Sequence, residues 1–219
     1  MIVAIDGPAG SGKSTLARLL AARYGLAFLD TGLLYRAVAR RLVDAGYRCD
    51  DPDAAVAAAG AITTADLESP HLRGEGIGNG ASMVAAIPRL RAALLPVQRR
   101  LAAQGRGSVV AGRDIGSVVL PETPFKFFVT AGLEERARRR FEELRRRGEA
   151  PIFAQVMDEL AERDRRDESR AIAPMAVAEG AIVVDTSAMD VKAALAAVVA
   201  EIERERVRET GSTITGQQP

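Results

Sequence analysis

A short loop near the amino terminus constrains this chain more than any other feature. Residues 7–14 read Gly-Pro-Ala-Gly-Ser-Gly-Lys-Ser, which fits the pattern G-x-x-x-x-G-K-S of a phosphate-binding loop. The loop follows the apolar run 2–5, typical of a buried strand, and precedes a helical pattern that ends at Gly25. This context matters because such a loop turns its amide groups around phosphate oxygens at a helix amino terminus.

The choice of lysine in this loop is informative. The chain holds 27 Arg and only three Lys, so Lys13 indicates a place where a planar guanidinium does not fit. In such loops the lysine reaches the phosphates, and the hydroxyl of Ser14 would bind Mg²⁺. The alternative is a glycine-rich turn that only caps the following helix.

Composition excludes several function classes. With 219 residues, 47% hydrophobic and 27% charged, the chain is typical of a globular protein. Its net charge of +1 argues against a broad nucleic-acid surface. A single cysteine, Cys49, and a single histidine, His71, exclude an internal disulfide and a histidine-based metal site.

We expect a cytoplasmic protein that makes no membrane contact. The amino terminus lacks a basic leader followed by an apolar stretch, so no signal peptide is predicted. The apolar segment 191–202 has only 12 residues, and a span needs about 20.

Short apolar strands alternate with helices along the chain. This order predicts an α/β fold, a parallel sheet covered by helices on both faces. Residues 48–80 are rich in alanine and glycine and are predicted to form a small mobile insertion with a helix and loops. The predicted strands are 2–5, 26–29, 108–111, 125–130 and 181–185, and the main later helices are 32–45, 88–105, 133–147 and 191–206.

Polar side chains follow two of the predicted strands. Arg36 comes shortly after the second strand, and Arg113 and Asp114 end the third. Because the carboxyl ends of parallel strands face the ligand crevice, these side chains are candidates for the site. The alternatives are Thr31 as a helix cap with Arg36 in solvent, and Asp114 as a cap beside a surface arginine.

A charged run later in the chain is the last candidate. Arg163, Arg166, Asp167 and Arg170 have the spacing of one helical face. The run is either a solvated, salt-bridged face or a basic lid over transferring phosphates. The chain lacks the Asn-Lys-x-Asp string of GTPases and the motifs of protein kinases.

Several short segments of the sequence are distinctive when taken together. They are Ile-Asp-Gly-Pro-Ala-Gly-Ser-Gly-Lys at 5–13, Asp-Thr-Gly-Leu-Leu-Tyr-Arg at 30–36, Ala-Ser-Met-Val-Ala at 81–85 with Pro-Arg-Leu-Arg at 88–91, Gly-Arg-Asp-Ile-Gly at 112–116 and Arg-Asp-Arg-Arg-Asp-Glu-Ser-Arg-Ala at 163–171. In these segments the sequence resembles the bacterial cytidylate kinase family, over about residues 2–206. The glycine-dense stretch 77–80 departs from the family pattern.

The resemblance implies an adenylate-kinase-like P-loop fold of one nucleoside monophosphate kinase domain, residues 1–206. It comprises a core, a nucleotide-monophosphate-binding insertion at about 48–86 and a lid at about 148–173. Residues 207–219 are expected to be a disordered tail. The implied reaction moves the γ-phosphoryl group of ATP to CMP or dCMP with Mg²⁺, in a monomer that binds no nucleic acid.

The resemblance also implies roles for individual residues. The catalytic residues would be Lys13, Arg113, Arg163 and Arg170. Those that hold ATP would be Gly7, Pro8, Ala9, Gly10, Ser11, Gly12, Lys13, Ser14 and Thr15. The acceptor phosphate would contact Arg36, Arg113 and Arg170, the base Ser82, Arg91 and Asp114, and the sugar Arg163 and Asp167, with Thr31 and Tyr35 also in the acceptor site.

The implied base reading has a chemical rationale. Cytosine offers an amine donor at N4 where uracil offers a carbonyl, so the carboxylate of Asp114 would accept from cytosine and repel uracil. Arg91 would donate to the O2 and N3 acceptors. Two alternatives stay open: a kinase of the same fold that acts on UMP, AMP or a non-nucleotide acceptor, and a nucleotide-dependent switch that captures a partner.

Overall fold

The protein is built on a five-stranded parallel sheet. The computed structural model describes residues 1–214, apart from the side chains of residues 73, 75 and 209–214. The strands lie in the order β2-β3-β1-β4-β5, which puts the first strand in the middle. The strands are β1 Ile2–Asp6, β2 Ala27–Asp30, β3 Ser108–Ala111, β4 Phe125–Thr130 and β5 Ile182–Asp185.

Alternate residues of the central strand enter two different hydrophobic layers. Val3 and Ile5 pack with Leu16 and Leu20 of α1 (Lys13–Tyr24). The same layer takes in α9 (Val191–Ile214). Ala4 packs on the opposite face, in the layer that contains part of α6 (Pro88–Ala102). The sheet is therefore covered on both faces, and the predicted fold class is confirmed.

The segment between β2 and β3 carries a helical insertion with its own apolar core. After α2 (Gly32–Asp44) the insertion forms α3, α4, a short 3-10 helix and α5, which pack with α2 and α6. The sequence predicted this segment as one helix with loops, whereas the structure makes it mostly helical. The bounds are α3 Pro52–Gly60, α4 Thr64–Glu68, the 3-10 helix Pro70–Arg73 and α5 Glu75–Val84.

Two charged helices follow β4 and pack against each other. α7 (Leu133–Arg146) and α8 (Phe153–Glu168) share a small core, in which Phe141 and Phe153 meet edge to face at 5.8 Å. α8 also packs against α5 of the insertion. Arg170 lies beyond the end of α8, so the prediction of one helical face that includes it is wrong.

The last helix extends further than the sequence predicted. α9 continues through residues 207–214, a stretch expected to be disordered. Arg204 and Arg208 pair with acidic residues three positions earlier, Glu201 and Glu205, and such pairs favour a helix. Residues 215–219, the rest of the predicted tail, lie outside the described residues.

Within residues 1–214, no single helix is long and apolar enough to cross a bilayer. One pair, the end of α5 with α6, passes the same test jointly but is bent by 97°.

Candidate active site

The loop at the end of β1 has the backbone that its glycines predict. Gly7, Gly10 and Gly12 all have φ between +76° and +144°, a region that favours glycine. A Cβ atom at Gly7 would lie 2.0 Å from the carbonyl oxygen of Val129. The loop can therefore adopt this path only with glycine at position 7, and it leads directly into the amino terminus of α1.

Lys13 lies inside the loop. Its ammonium group is buried and donates a 3.0 Å hydrogen bond to the carbonyl oxygen of Pro8. Burial lowers the pKa of Lys13 well below its ordinary value, and the charges of Arg113 and Arg163 lower it further. An anion bound in the loop would offset this cost, because it favours the charged form of the amine.

The hydroxyl of Ser14 meets a carboxylate that sequence reasoning did not select. Ser14 Oγ donates to Oδ2 of Asp30 at 3.0 Å, and Asp30 Oδ1 accepts from the amide of Gly32 at 3.1 Å. The available signal was a carboxylate at the end of a strand beside the loop. In residues 1–214 no group of three or more His, Cys, Asp or Glu side chains could hold a metal.

Thr31 and Arg36 follow Asp30 but do not behave as a cap and a solvated cation. The hydroxyl of Thr31 donates to the carbonyl oxygen of Ala111 at 3.0 Å and ties β2 to β3, and α2 has no side-chain cap. Arg36 Nη1 donates to the carbonyl oxygen of Leu72 at 2.9 Å, and burial lowers its pKa. The alternative of Thr31 as a helix cap with Arg36 in solvent is therefore wrong.

The guanidinium groups of Arg36 and Arg163 converge over Gly78. A Cβ atom on Gly78 would lie 3.4 Å from Arg163 Nη1 and 3.8 Å from Arg36 Nη2. Arg163 makes no ion pair with any described residue, and its Nε is buried without a partner. Burial, together with the charges of Arg113 and Arg36, lowers the pKa of Arg163 to about 9.

Asp167 on α8 joins three elements. One oxygen accepts from Arg113 Nε at 2.9 Å, while the other accepts from Ser82 Oγ at 2.8 Å and from Arg170. The neighbouring arginines hold the pKa of Asp167 at about 2 despite its burial. Four residues separated in sequence are therefore brought together here: Ser82, Arg113, Asp167 and Arg170.

A second buried ion pair lies next to this cluster. Arg91 Nη2 donates to Asp114 Oδ2, and both side chains are almost fully buried. The guanidinium group of Arg91 also lies over the ring of Tyr35, at 5.7 Å from its centroid. No described residue donates to the second oxygen, Asp114 Oδ1, so the carboxylate keeps one free acceptor. Asp114 does not cap a helix through its side chain.

A third ion pair, missed in the sequence, links the loop to α8. Arg136 of α7 donates to Asp164 Oδ2 at 2.5 Å and to the carbonyl oxygen of Ala9 at 3.2 Å. The charged run around residue 136 offered no signal, because arginine is common throughout α7.

An open cavity of about 590 Å³ lies on the other side of the phosphate-binding loop. Its walls include Gly12 and Thr15 of the loop, Arg139 of α7, and Thr186 and Met189 after β5. Arg139 is fixed by hydrogen bonds to Thr186, of 3.0 Å to Oγ1 and 2.6 Å to the carbonyl oxygen.

The charge of the crevice around Lys13, Arg163 and Asp167 indicates which ligands it can bind. Six basic side chains share it with three carboxylates, and most of these groups are partly or fully buried. The excess is therefore cationic, and it is compensated only when polyanions such as nucleotide phosphates bind. The basic residues are Lys13, Arg36, Arg91, Arg113, Arg163 and Arg170; the carboxylates are Asp30, Asp114 and Asp167.

With a phosphate-binding loop on a parallel sheet and this charge excess, the protein falls in the class of P-loop kinases. Comparison with known proteins narrows the class. The family model described as cytidylate kinase matches residues 3–204, and the chain belongs to the cytidylate kinase family.

Curated relatives agree over most of the chain. A cytidylate kinase of Methylocella silvestris is 51% identical over 203 residues, which are 93% of this chain and 94% of the relative. One from a Methylobacterium species is 54% identical over 181 residues, 83% of this chain and 86% of the relative. A solved structure of an uncharacterized protein from Eubacterium ventriosum has a TM-score of 0.53 at 16% identity, covers 93% of this chain and 98% of its own, and supports the fold alone.

Proposed function

We propose that the protein transfers the γ-phosphoryl group of ATP to CMP and dCMP, giving ADP and CDP or dCDP. Family membership supports this reaction in pyrimidine nucleotide metabolism. The observation that carries it in the structure is the partly buried Arg163, a cation without an ion-pair partner among the described residues, whose guanidinium group lies beside that of Arg36 over Gly78. Such a group is expensive to bury unless phosphate oxygens complete its site.

The donor nucleotide occupies the phosphate-binding loop in this proposal. Residues 7–15 supply inward-facing amides and the amino terminus of α1, and Lys13 contacts the phosphates between which the bond breaks. The cavity bounded by Gly12, Arg139 and Thr186 is continuous with the loop, which makes it the place for the donor's base.

Ser14 and Asp30 fit a magnesium site. Their oxygen atoms are 3.0 Å apart, and Mg²⁺ is usually held by one or two protein oxygens together with substrate phosphates and water. Mg²⁺ held by these residues would neutralise the charge that develops on the phosphates. Asp30, which also accepts from Gly32, orients the Ser14 hydroxyl for this role.

The acceptor phosphate lies among Arg36, Arg113 and Arg170, with Arg163 between it and the donor. These guanidinium groups come from three elements: α2, the end of β3, and the lid. In the transition state, negative charge spreads over the oxygens of the transferred group, and fixed cations stabilise it. The acceptor phosphate is already ionised, so the protein needs no strong general base, and the transfer is direct and in line.

The base and sugar of the acceptor meet the remaining polar groups. The free oxygen of Asp114 accepts a hydrogen bond from N4 of cytosine. Arg91, which is bound to the other oxygen of Asp114, donates to O2 and N3 of the base. Ser82 completes the base side. Arg163 and Asp167 face the sugar, and this assignment asks Asp167 to accept from a sugar hydroxyl in addition to its protein donors.

The insertion and the lid close over the two phosphates and exclude water. In the structure α5 already contacts α8, and closure protects the phosphoryl group from hydrolysis. We propose a cytoplasmic monomer, without nucleic-acid or membrane partners, and size-exclusion chromatography with light scattering checks the monomer.

A phosphoacceptor panel tests the function. Purified protein with ATP and Mg²⁺ should turn over CMP and dCMP well above UMP and AMP in an ADP-coupled assay. Asp114→Asn should reduce the preference for CMP over UMP by about tenfold or more, because it removes the charge that repels the uracil carbonyl. Asp158→Asn, an exposed position on α8, is the matched control. Equal turnover of CMP and UMP by the natural protein would contradict the base reading.

A further inference from the structure

A buried carboxylate just before the phosphate-binding loop has no role in the reaction described so far. Asp6 ends β1, directly precedes Gly7 and is only 3% exposed. Its Oδ1 accepts a 2.7 Å hydrogen bond from the amide of Ile115, and its Oδ2 accepts a 2.8 Å bond from the amide of Gly116. Both oxygens are thus used on one short stretch of backbone.

That stretch follows the two residues assigned to the acceptor. Arg113 and Asp114 lie immediately before the π-helical turn Ile115–Val119, whose first two amides are the ones bound by Asp6. The carboxylate of Asp6 therefore links two segments. One is the end of β1, which leads into the phosphate-binding loop, and the other is the turn that follows Arg113 and Asp114 and fixes the path of their main chain.

The contact is tight on every side. A Cβ atom on Gly116 would lie 3.4 Å from Asp6 Oδ2, 3.2 Å from Cβ of Ala178 and 3.3 Å from Cδ of Lys126. Such separations leave little room for a side chain at position 116. The turn is held by its two hydrogen bonds to Asp6 and by the buried side chains of Ile115 and Val119.

Stability alone does not explain an acid at this position. Asp6 makes no ion pair with any described residue, and its burial raises its pKa to about 6. A buried carboxylate without a cation costs folding free energy. Its two backbone hydrogen bonds offset part of this cost, as their lowering effect on the pKa indicates.

We propose that Asp6 is a positioning residue that holds Arg113 and Asp114 in register with the phosphate-binding loop. It acts through the amides of Ile115 and Gly116 and touches neither substrate. This inference rests on the proposed function, in which Arg113 contacts the acceptor phosphate and Asp114 reads the base.

Asparagine distinguishes this role from simple packing. Asp6→Asn keeps the shape of the side chain, but one of its two terminal atoms becomes an NH₂ donor that faces an amide N–H. One hydrogen bond is lost and the turn moves away. We expect the KM for CMP to rise by about tenfold or more and the preference for CMP over UMP to fall, since small displacements of reacting groups are costly. The KM for ATP should change by less than about threefold, because the loop keeps its own contacts.

A second variant changes the same contact at Gly116 instead of at Asp6. Gly116→Ala leaves Asp6 intact, but its Cβ atom would crowd Cβ of Ala178 and Cδ of Lys126. The turn must shift against these neighbours by a few tenths of an ångström, so the CMP parameters should change in the same direction. Ser108→Ala is the matched control: its buried hydroxyl donates to the carbonyl oxygen of Ala102 at 2.7 Å, at the far end of β3. We expect Ser108→Ala to lower stability without changing the CMP to UMP ratio.

The outcomes separate the two proposals. If Asp114→Asn reduces the CMP preference while Asp6→Asn and Gly116→Ala leave it and the KM for CMP unchanged, the positioning role is overturned and the proposed function stands. Equal rises in the KM for ATP and for CMP would also overturn it. If Asp114→Asn has no effect on the preference, the base reading itself fails. Should Asp6→Asn not fold, Gly116→Ala decides.

Discussion

The hydroxyl of Ser82 on α5 donates a 2.8 Å hydrogen bond to the carboxylate of Asp167 on α8. Both side chains are buried. A second contact between the same two helices, Arg166 Nη1 to Asn79 Oδ1 at 2.9 Å, lies at the surface. The two helices are therefore joined by side-chain hydrogen bonds both in the interior and at the surface.

Removing this hydroxyl should weaken acceptor binding. We expect Ser82→Ala to raise the KM for CMP by about tenfold, since a hydrogen bond to a charged group contributes about 1.5–3 kcal/mol. The KM for ATP should change little. Steady-state kinetics against each substrate measures both, and Ser117→Ala, at an exposed position on the π-helical turn, is the control. An unchanged KM for CMP would remove Ser82 from the acceptor site.

Replacing Arg163 should separate activity from stability. We expect Arg163→Met to lower kcat by about a hundredfold or more. It should also raise the free energy of unfolding by about 1–3 kcal/mol, because it removes a partly buried cation that has no ion-pair partner among the described residues. Urea unfolding and turnover measure the two effects. Arg165→Met, on the same helix but 73% exposed, should change neither. A loss of stability on Arg163→Met would mean that Arg163 is structural.

The lysine of the loop should not tolerate arginine. Lys13→Arg keeps the charge but must fit a planar fork into a buried site that now holds one hydrogen bond to Pro8. We expect turnover to fall by about a hundredfold, with native circular dichroism. Lys192→Arg, at an exposed position on α9, should keep full turnover. Near-normal activity of Lys13→Arg would show that charge alone suffices.

Asp6 should leave a signature in the pH dependence of stability. Its pKa is about 6 in the folded protein, whereas the ordinary value of 3.8 applies in the unfolded chain. The folded protein therefore binds the proton more tightly. The free energy of unfolding therefore gains about 1 kcal/mol from this group as the pH falls from 7.5 to 5. The charged groups that act on Asp6 are Arg113 and Asp114, with Lys126 packed on the same turn.

The measurement compares the protein with Asp6→Asn by urea unfolding at pH 7.5, 6 and 5. The stability difference between them should move in favour of the natural protein as the pH falls. Burial also raises the pKa of Asp114. Because both proteins contain Asp114, its contribution cancels in the difference between their free energies of unfolding. A constant difference would show that folding does not shift the pKa of Asp6, and a trend of opposite sign would show that folding lowers it; either result contradicts the prediction.

The strands and the loop could be predicted because their signals are local. β3 and β4 have the predicted bounds, since buried parallel strands are short apolar runs closed by glycine or polar residues. The glycines of the phosphate-binding loop likewise determine their own backbone. The glycine-rich α5 was not predicted as a helix, because packing against α2 overrides its low helix propensity.

The partners within the site could not be predicted from spacing. Asp6 and Asp30 read as ordinary residues at strand ends, and only the folded chain shows that one binds two distant amides and the other meets Ser14. The pairing of Arg136 with Asp164 depends on the path between α7 and α8. Such contacts join residues far apart in the chain, and a single sequence contains no record of them.

The strand order has a consequence for synthesis. β1 is made first, but it lies at the centre of the sheet, where Val3 pairs with Val109 on one side and with Phe125 on the other. While the chain is still on the ribosome, β1 and the phosphate-binding loop that follows it lack their full set of neighbouring strands until both β3 and β4 have been made. A product truncated before β4 would thus carry the complete glycine motif and still be unable to sequester ATP.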